Sequence, residues 1–169
     1  NKENSVIFDE LLDVLDFADA HKIRVTVIIS PLQALLMQTL HLADTWEQYL
    51  DWQQELVETI GARKTVTEVY GLENSSELVL ERIDAPRALF RDGVHYTQRT
   101  SAEILSCLAG PCDSSIQLTR LDKNNVAAYL DQVDLLRKQY VQQNPEDIRA
   151  VRKWLNLSSA SKTDMPPPL

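Results

Sequence analysis

One short segment of the chain, residues 91–96, combines residue types that could do chemistry. Its sequence is Arg-Asp-Gly-Val-His-Tyr, so Asp92 lies three residues before His95. On a tight turn, a carboxylate can accept a hydrogen bond from the histidine Nδ1–H, which fixes the tautomer and leaves Nε2 to act as a base. Gly93 stands between the two and allows the backbone an unusual angle. The spacing is therefore compatible with a base, His95, that Asp92 orients. The alternative is a surface turn in which Asp92 caps the backbone and His95 is half buried.

Helices and strands that could position this segment are predicted from the spacing of apolar residues. The predicted helices cover residues 4–20, 33–42, 44–61, 97–108, 124–143 and 144–155. Two stretches rich in β-branched residues, 22–30 and 64–70, are predicted to be strands. Residues 71–84 are polar and predict a loop, and residues 158–169 predict a disordered tail.

Strands that alternate with helices predict an α/β layered domain. The strand at 22–30 is apolar on both faces toward its end, which favours a central position in a parallel sheet. Two strands cannot cover their own faces and edges. We therefore expect an upstream segment or a companion chain to complete the sheet. Residues 91–96 come after the second strand, and open α/β sheets place their sites at the carboxyl ends of strands.

Two local signals concern the helix predicted at 44–61. Asp44, with Glu47 three residues later, predicts a capping-box start. Trp46, Tyr49 and Trp52 follow within the same helix. They could form an aromatic ligand site, but their helical spacing favours packing in the core.

The charge balance restricts the classes of partner. The chain has 17 Lys and Arg residues against 25 Asp and Glu residues, a formal net charge of −8. Its basic residues form no block, which disfavours a nucleic-acid or anionic membrane surface. The longest apolar run, around residues 25–29, is far shorter than the roughly 20 residues of a membrane-spanning helix. No metal, nucleotide or flavin signature is present, so no cofactor is expected.

The two cysteines, Cys107 and Cys112, are separated by four residues. Three possibilities stay open: two free thiols, which the sequence favours, a local disulfide, or part of a metal site. A structural zinc ion usually takes four ligands, so a metal is the least supported of the three. A disulfide would indicate an oxidising compartment.

The segment F-R-D-G-V-H-Y-T, followed by an apolar helix, resembles the last conserved block of the SGNH/GDSL hydrolase superfamily. V-T-V-I-I-S-P-L and then W-E-Q-Y-L-D-W-Q-Q-E-L are similar to the middle of uncharacterised bacterial SGNH-like proteins. Residues 125–140, with Asn144 and Pro145, resemble the C-terminal extension of those proteins. The resemblance spans roughly residues 5–150, and D-G-V-H-Y is its most specific part.

This resemblance implies a partial three-layer α/β/α domain, flavodoxin-like, with parallel strands and extra C-terminal helices. Residues 1–122 would be the C-terminal part of that domain, 123–156 a helical extension and 157–169 a disordered tail. His95 would be the general base and Asp92 its partner in ester hydrolysis or O-acyl transfer, often of an acetyl group on a carbohydrate. An extracytoplasmic location is also implied.

The chain departs from the family because it lacks the Gly-Asp-Ser segment that carries the nucleophile. Ser30 ends a predicted strand, but Pro31 follows it and offers no backbone N–H for an oxyanion. We therefore expect the chain to be inactive alone, with the serine on an upstream segment or a companion chain. The alternatives are a non-catalytic structural or assembly subunit derived from the same fold, and a small interaction domain unrelated to hydrolases.

Overall fold

A computed structural model describes residues 3–82, 89–111 and 115–157, the first five of them by backbone alone. The helices are α1 (Glu3–Ala20), α2 (Ala34–Leu42), α3 (Trp46–Gly61), α4 (Ser76–Val79), α5 (Gln98–Ala109), α6 (Val126–Gln143) and α7 (Pro145–Trp154). The strands are β1 (Val25–Ile29), β2 (Val66–Gly71) and β3 (Thr119–Arg120). The predicted α/β class and each predicted helix and strand are confirmed, with ends shifted by a few residues. Residues 158–169 of the predicted disordered tail lie outside the described residues.

The three strands form one mixed sheet in the order β1-β2-β3. β1 and β2 are parallel, with Val27 opposite Val69, as the sequence predicts. β3 pairs antiparallel with β2, so the sheet is not wholly parallel. Two residues are too few to show the alternation that identifies a strand, which is why β3 was not predicted. Among the described residues β1 has a neighbour on one side only, so its expected second neighbour stays a prediction.

Alternate side chains of β1 enter two hydrophobic clusters. Val27 and Ile29 pack in the main cluster, which α1, α3 and α6 also supply. Ile28 packs against a second cluster, which includes Phe90 and, from α5, Ile104. This arrangement explains why the strand is apolar on both faces.

Helix α2 follows β1 and packs against α3, α6 and α7. Trp46 at the start of α3 is 1% exposed and stacks on Tyr49, with ring centroids 5.6 Å apart. Tyr49 in turn stacks on the half-buried Trp52 at 6.0 Å. Core packing of the aromatic residues is therefore confirmed. None of the described helices is both long and apolar enough to cross a membrane.

Three local predictions are corrected. Thr45, not Asp44, occupies the position before α3 and makes no side-chain capping bond, and Asp44 has a positive φ of 56°. The predicted box of Asp44 and Glu47 is absent because Asp44 lies one residue before the N-cap position, and the Thr45 hydroxyl at that position donates instead to the Leu40 carbonyl at 3.1 Å. The stretch predicted as a loop contains α4, because Leu78 and Val79 are fully buried there.

The third correction concerns the cysteines. Cys107 lies in α5 and is disulfide-bonded, so the favoured prediction of free thiols is wrong for this residue. Cys112 lies outside the described residues.

Candidate functional site

The predicted catalytic segment forms a loop that is closed at its base. Phe90 and Tyr96 pair as an isolated antiparallel bridge. Just inside that bridge, the Arg91 N–H donates to the His95 carbonyl at 2.6 Å. Phe90 is 5% exposed and belongs to the second hydrophobic cluster. The loop therefore projects from a fixed hydrophobic base.

The segment after α4 and the first turn of α5 hold the base of the loop. The Glu81 carboxylate accepts hydrogen bonds from the Leu89 N–H at 2.8 Å and the Phe90 N–H at 3.1 Å. On the other side, Thr97 caps α5 by accepting from the Thr100 N–H at 3.3 Å. The Thr100 hydroxyl then donates to the Leu89 carbonyl at 2.9 Å. A polar network thus joins both ends of the loop to the first turn of α5.

Within the loop, the Asp92 carboxylate lies against the His95 ring. The distances from Nδ1 are 2.9 Å to Oδ2 and 3.0 Å to Oδ1. Oδ1 also accepts from the Val94 N–H at 2.9 Å and the His95 N–H at 2.8 Å. These two backbone bonds, and then the ring, lower the pKa of Asp92 to about 2. Because an ionised carboxylate can only accept, the contact selects the Nδ1–H tautomer.

Both side chains of the pair are open to solvent. Asp92 is 56% exposed and His95 is 74% exposed. Within the described part of the chain, Nε2 of His95 makes no hydrogen bond. The pair can therefore accept a proton at Nε2 while Asp92 stabilises the resulting imidazolium. The predicted contact is present, and its catalytic role stays a prediction.

The loop rests on the turn that follows β1. The Gln33 N–H donates to the Gly93 carbonyl at 3.0 Å. A Cβ at Gly93 would lie 3.3 Å from the Leu36 side chain, so only a glycine lets the loop approach α2 this closely without a shift. Ser30 is exposed at the end of β1, and the next residue, Pro31, is buried. The carboxyl end of β1 thus supports the pair, as the sequence predicts for a site in an open α/β sheet.

Sequence reasoning missed Glu73, which is fully buried at the carboxyl end of β2. Its carboxylate accepts from the Tyr49 hydroxyl at 2.6 Å, the Gln53 amide at 2.5 Å and the Leu32 N–H at 3.2 Å. Its own backbone N–H donates to the Tyr129 hydroxyl at 2.8 Å. Burial raises the pKa of Glu73 to about 7, even though the three hydrogen bonds to the carboxylate lower it.

Two signals in the sequence could have indicated this residue. Glu73 lies two residues beyond a strand, where open α/β sheets carry functional groups. Gln53 is a polar residue on the apolar stripe of α3, and it is 0% exposed. A buried amide on such a stripe needs a polar partner. Neither signal identifies that partner without the fold.

Metal ligation finds no support in the described residues, where no group of three or more His, Cys, Asp or Glu side chains could hold an ion. Another exposed histidine, His21, donates from Nδ1–H to the Phe17 carbonyl at 2.8 Å. It stacks on the Phe17 ring at 4.0 Å. No carboxylate among the described residues orients the His21 ring, so it serves as a comparison for His95.

Comparisons with known proteins leave the family open. The chain matches no protein-family model, no curated protein and no solved structure.

Proposed function

We propose that this chain supplies the general base and the orienting acid of an SGNH-like ester hydrolase or O-acyltransferase. The observation that carries the proposal is the Asp92 carboxylate 2.9 Å from Nδ1 of His95. The pair lies on an exposed loop at the carboxyl end of a parallel strand pair. The serine nucleophile would come from an upstream segment or a companion chain, because the chain has no Gly-Asp-Ser segment.

In this proposal Nε2 of His95 takes the proton from the serine hydroxyl as the oxygen attacks the ester carbonyl. Asp92 stabilises the imidazolium that forms and keeps Nε2 aimed at the serine. The proton then passes to the leaving alkoxide, which departs as an alcohol and leaves an acyl-enzyme. Water completes hydrolysis, whereas a sugar hydroxyl completes acyl transfer. The substrate class is an ester, with an acetylated carbohydrate as the preferred case.

The proposal includes a larger sheet than the described one. β1 is paired on one side only among the described residues. The helix that leads into β1, and the turn between them, carry exposed apolar side chains: Val14 is 63% exposed, Phe17 60% and Ile23 47%. Further parallel strands and a helix would cover this apolar surface, which supports a three-layer α/β/α, flavodoxin-like arrangement. The disulfide at Cys107 supports an oxidising, extracytoplasmic location.

A serine-directed fluorophosphonate probe tests the proposal on the protein purified with the chains that accompany it in its native host. We expect labelling of one serine in the wild type and at least a hundredfold slower labelling for His95→Ala, since the base is lost. His21→Ala is the matched control, because it removes another exposed histidine, and its labelling should equal that of the wild type.

Two results would contradict the proposal. One is a wild-type protein that takes up no probe, which would favour a non-catalytic assembly subunit. The other is labelling that persists at the wild-type rate in His95→Ala, which would show that the reactive serine does not depend on this loop.

A further inference from the structure

Glu73 lies below the turn that supports the Asp92–His95 loop, and four partners hold it in place. Two come from α3, namely the Tyr49 hydroxyl and the Gln53 amide. The Leu32 N–H comes from the turn after β1, and the Tyr129 hydroxyl comes from α6. A fully buried carboxylate is costly unless such donors satisfy it, so its position is closely fixed.

A short series of bonds joins this buried carboxylate to the exposed pair. Oε1 of Glu73 accepts from the Leu32 N–H at 3.2 Å. The next backbone N–H, that of Gln33, donates to the Gly93 carbonyl at 3.0 Å. Gly93 follows Asp92 directly, so the position of the turn at Leu32 and Gln33 determines where the Asp92–His95 loop lies. Gln33 is 2% exposed, which leaves this connection little freedom.

We propose that Glu73 is a positioning residue for the Asp92–His95 pair, acting through the backbone N–H groups of Leu32 and Gln33. The inference rests on the proposed function only for the use of the pair, because the geometry can be measured without a substrate. What matters is the acceptor at Oε1, not the charge. The conservative variant Glu73→Gln should therefore preserve the arrangement, since its amide oxygen still accepts from Leu32 and Tyr49.

The same variant has a partner for its new N–H group. Within the described part of the chain, Oε1 of Gln53 is buried without a hydrogen bond. If the Gln53 amide turns over, this oxygen faces the introduced amide and accepts from it. Glu73→Leu instead removes both acceptor oxygens and leaves three donors without a partner.

The test measures two properties of the whole chain by NMR: hydrogen exchange of the Gln33 amide and the 15N signature of the His95 tautomer. In Glu73→Leu we expect Gln33 to exchange at least about tenfold faster and the Nδ1–H signature to become averaged. Glu73→Gln should match the wild type in both. Glu68→Leu, which removes a partly exposed carboxylate from β2, should also match it.

Should Glu73→Leu fail to fold, Glu73→Asp carries the test, because it keeps a carboxylate but withdraws it by one methylene from Leu32. Wild-type Gln33 exchange and an unchanged His95 signature in a folded Leu or Asp variant would overturn the inference. Disruption in Glu73→Gln would also overturn it, because charge and not the acceptor would then be responsible. Neither readout needs a nucleophile, so the outcome is independent of the probe experiment.

Discussion

Two carboxylates at the carboxyl end of the parallel pair, Asp92 and Glu73, are held in opposite ways. Asp92 is 56% exposed, and its pKa is lowered to about 2. Glu73 is 0% exposed, and its pKa is raised to about 7. Each accepts hydrogen bonds from three different groups, so the number of donors does not explain the difference. Burial does, because it penalises the ionised form of Glu73 more than its donors stabilise it.

The partners of the two groups also differ in sequence distance. Asp92 is bonded to residues two and three positions away. Glu73 is bonded to residues 20 to 56 positions away, on α3, α6 and the turn after β1. A change near Glu73 should therefore affect the stability of the whole fold, whereas a change at Asp92 should affect its own loop.

The largest effect is expected for Gly71→Ala at the end of β2. A Cβ there would overlap the Tyr129 hydroxyl and lie 2.9 Å from Leu121. Overpacking and the loss of the Tyr129 bond to the Glu73 N–H should together lower the free energy of unfolding by about 4 kcal/mol. Urea denaturation measures the change. Gly61→Ala is the control, because nothing lies within 4 Å of its new methyl group, and it should be neutral or stabilising.

If Gly71→Ala were as stable as Gly61→Ala, the end of β2 would be loosely packed. Glu73 would then not be closely fixed by its surroundings.

A somewhat smaller effect is expected from the pH dependence of Glu73→Gln. The Glu73 pKa rises from 4.5 in the unfolded chain to about 7 in the folded one. Between these values the folded state holds a proton that the unfolded state has released, so this group lowers stability as pH rises. Measured from pH 4.5 to pH 8, the stability of Glu73→Gln should rise relative to the wild type by about 3 kcal/mol.

Other titrating groups are common to both proteins and cancel in this difference. A constant difference across that range would show that Glu73 titrates alike in the folded and unfolded states, and the contrast with Asp92 would disappear.

Local contacts such as those of Asp92 could be predicted from the sequence, whereas long-range contacts such as those of Glu73 could not. The contact of Asp92 with His95 was predictable, because both residues lie on one turn and the chemistry of their side chains fixes how they meet. The parallel pairing of β1 with β2 was also predictable, because helices separate two strands of β-branched residues. The whole helix α3 followed from its apolar stripe.

The Glu73 cluster was not predictable, because its partners are brought together only by the packing of α3 and α6 on the sheet. Gln53 on an apolar stripe indicates that some buried polar partner exists, but not which one. The two-residue strand β3 was not predictable for a different reason. Its pairing with β2 is decided by the neighbouring strand and not by its own sequence.

A smaller effect, local to the loop, is expected for Asp92→Asn. The depressed pKa of Asp92 means that its stabilising bonds are present above about pH 4 and are lost as pH falls toward 2. The variant should be less stable than the wild type at pH 7 and equal to it near pH 2. Its loss of stability at pH 7 should be smaller than that of Gly71→Ala, because the Asp92 carboxylate is solvated. Asp51→Asn, an exposed carboxylate on α3, is the control. A deficit that persists unchanged near pH 2 would rule out the carboxylate charge as its cause.

The smallest stability effect is expected for His95→Gln. The ring is 74% exposed, and the backbone N–H of the same residue can still donate to Asp92 after the change. Differential scanning calorimetry should therefore give a Tm within about 2 °C of the wild type, as for His21→Gln. A large loss of stability would show that the contact between Asp92 and His95 stabilises the folded loop. A small loss means that the fold gains little from an oriented histidine at this position, as the proposed role of His95 as a base requires.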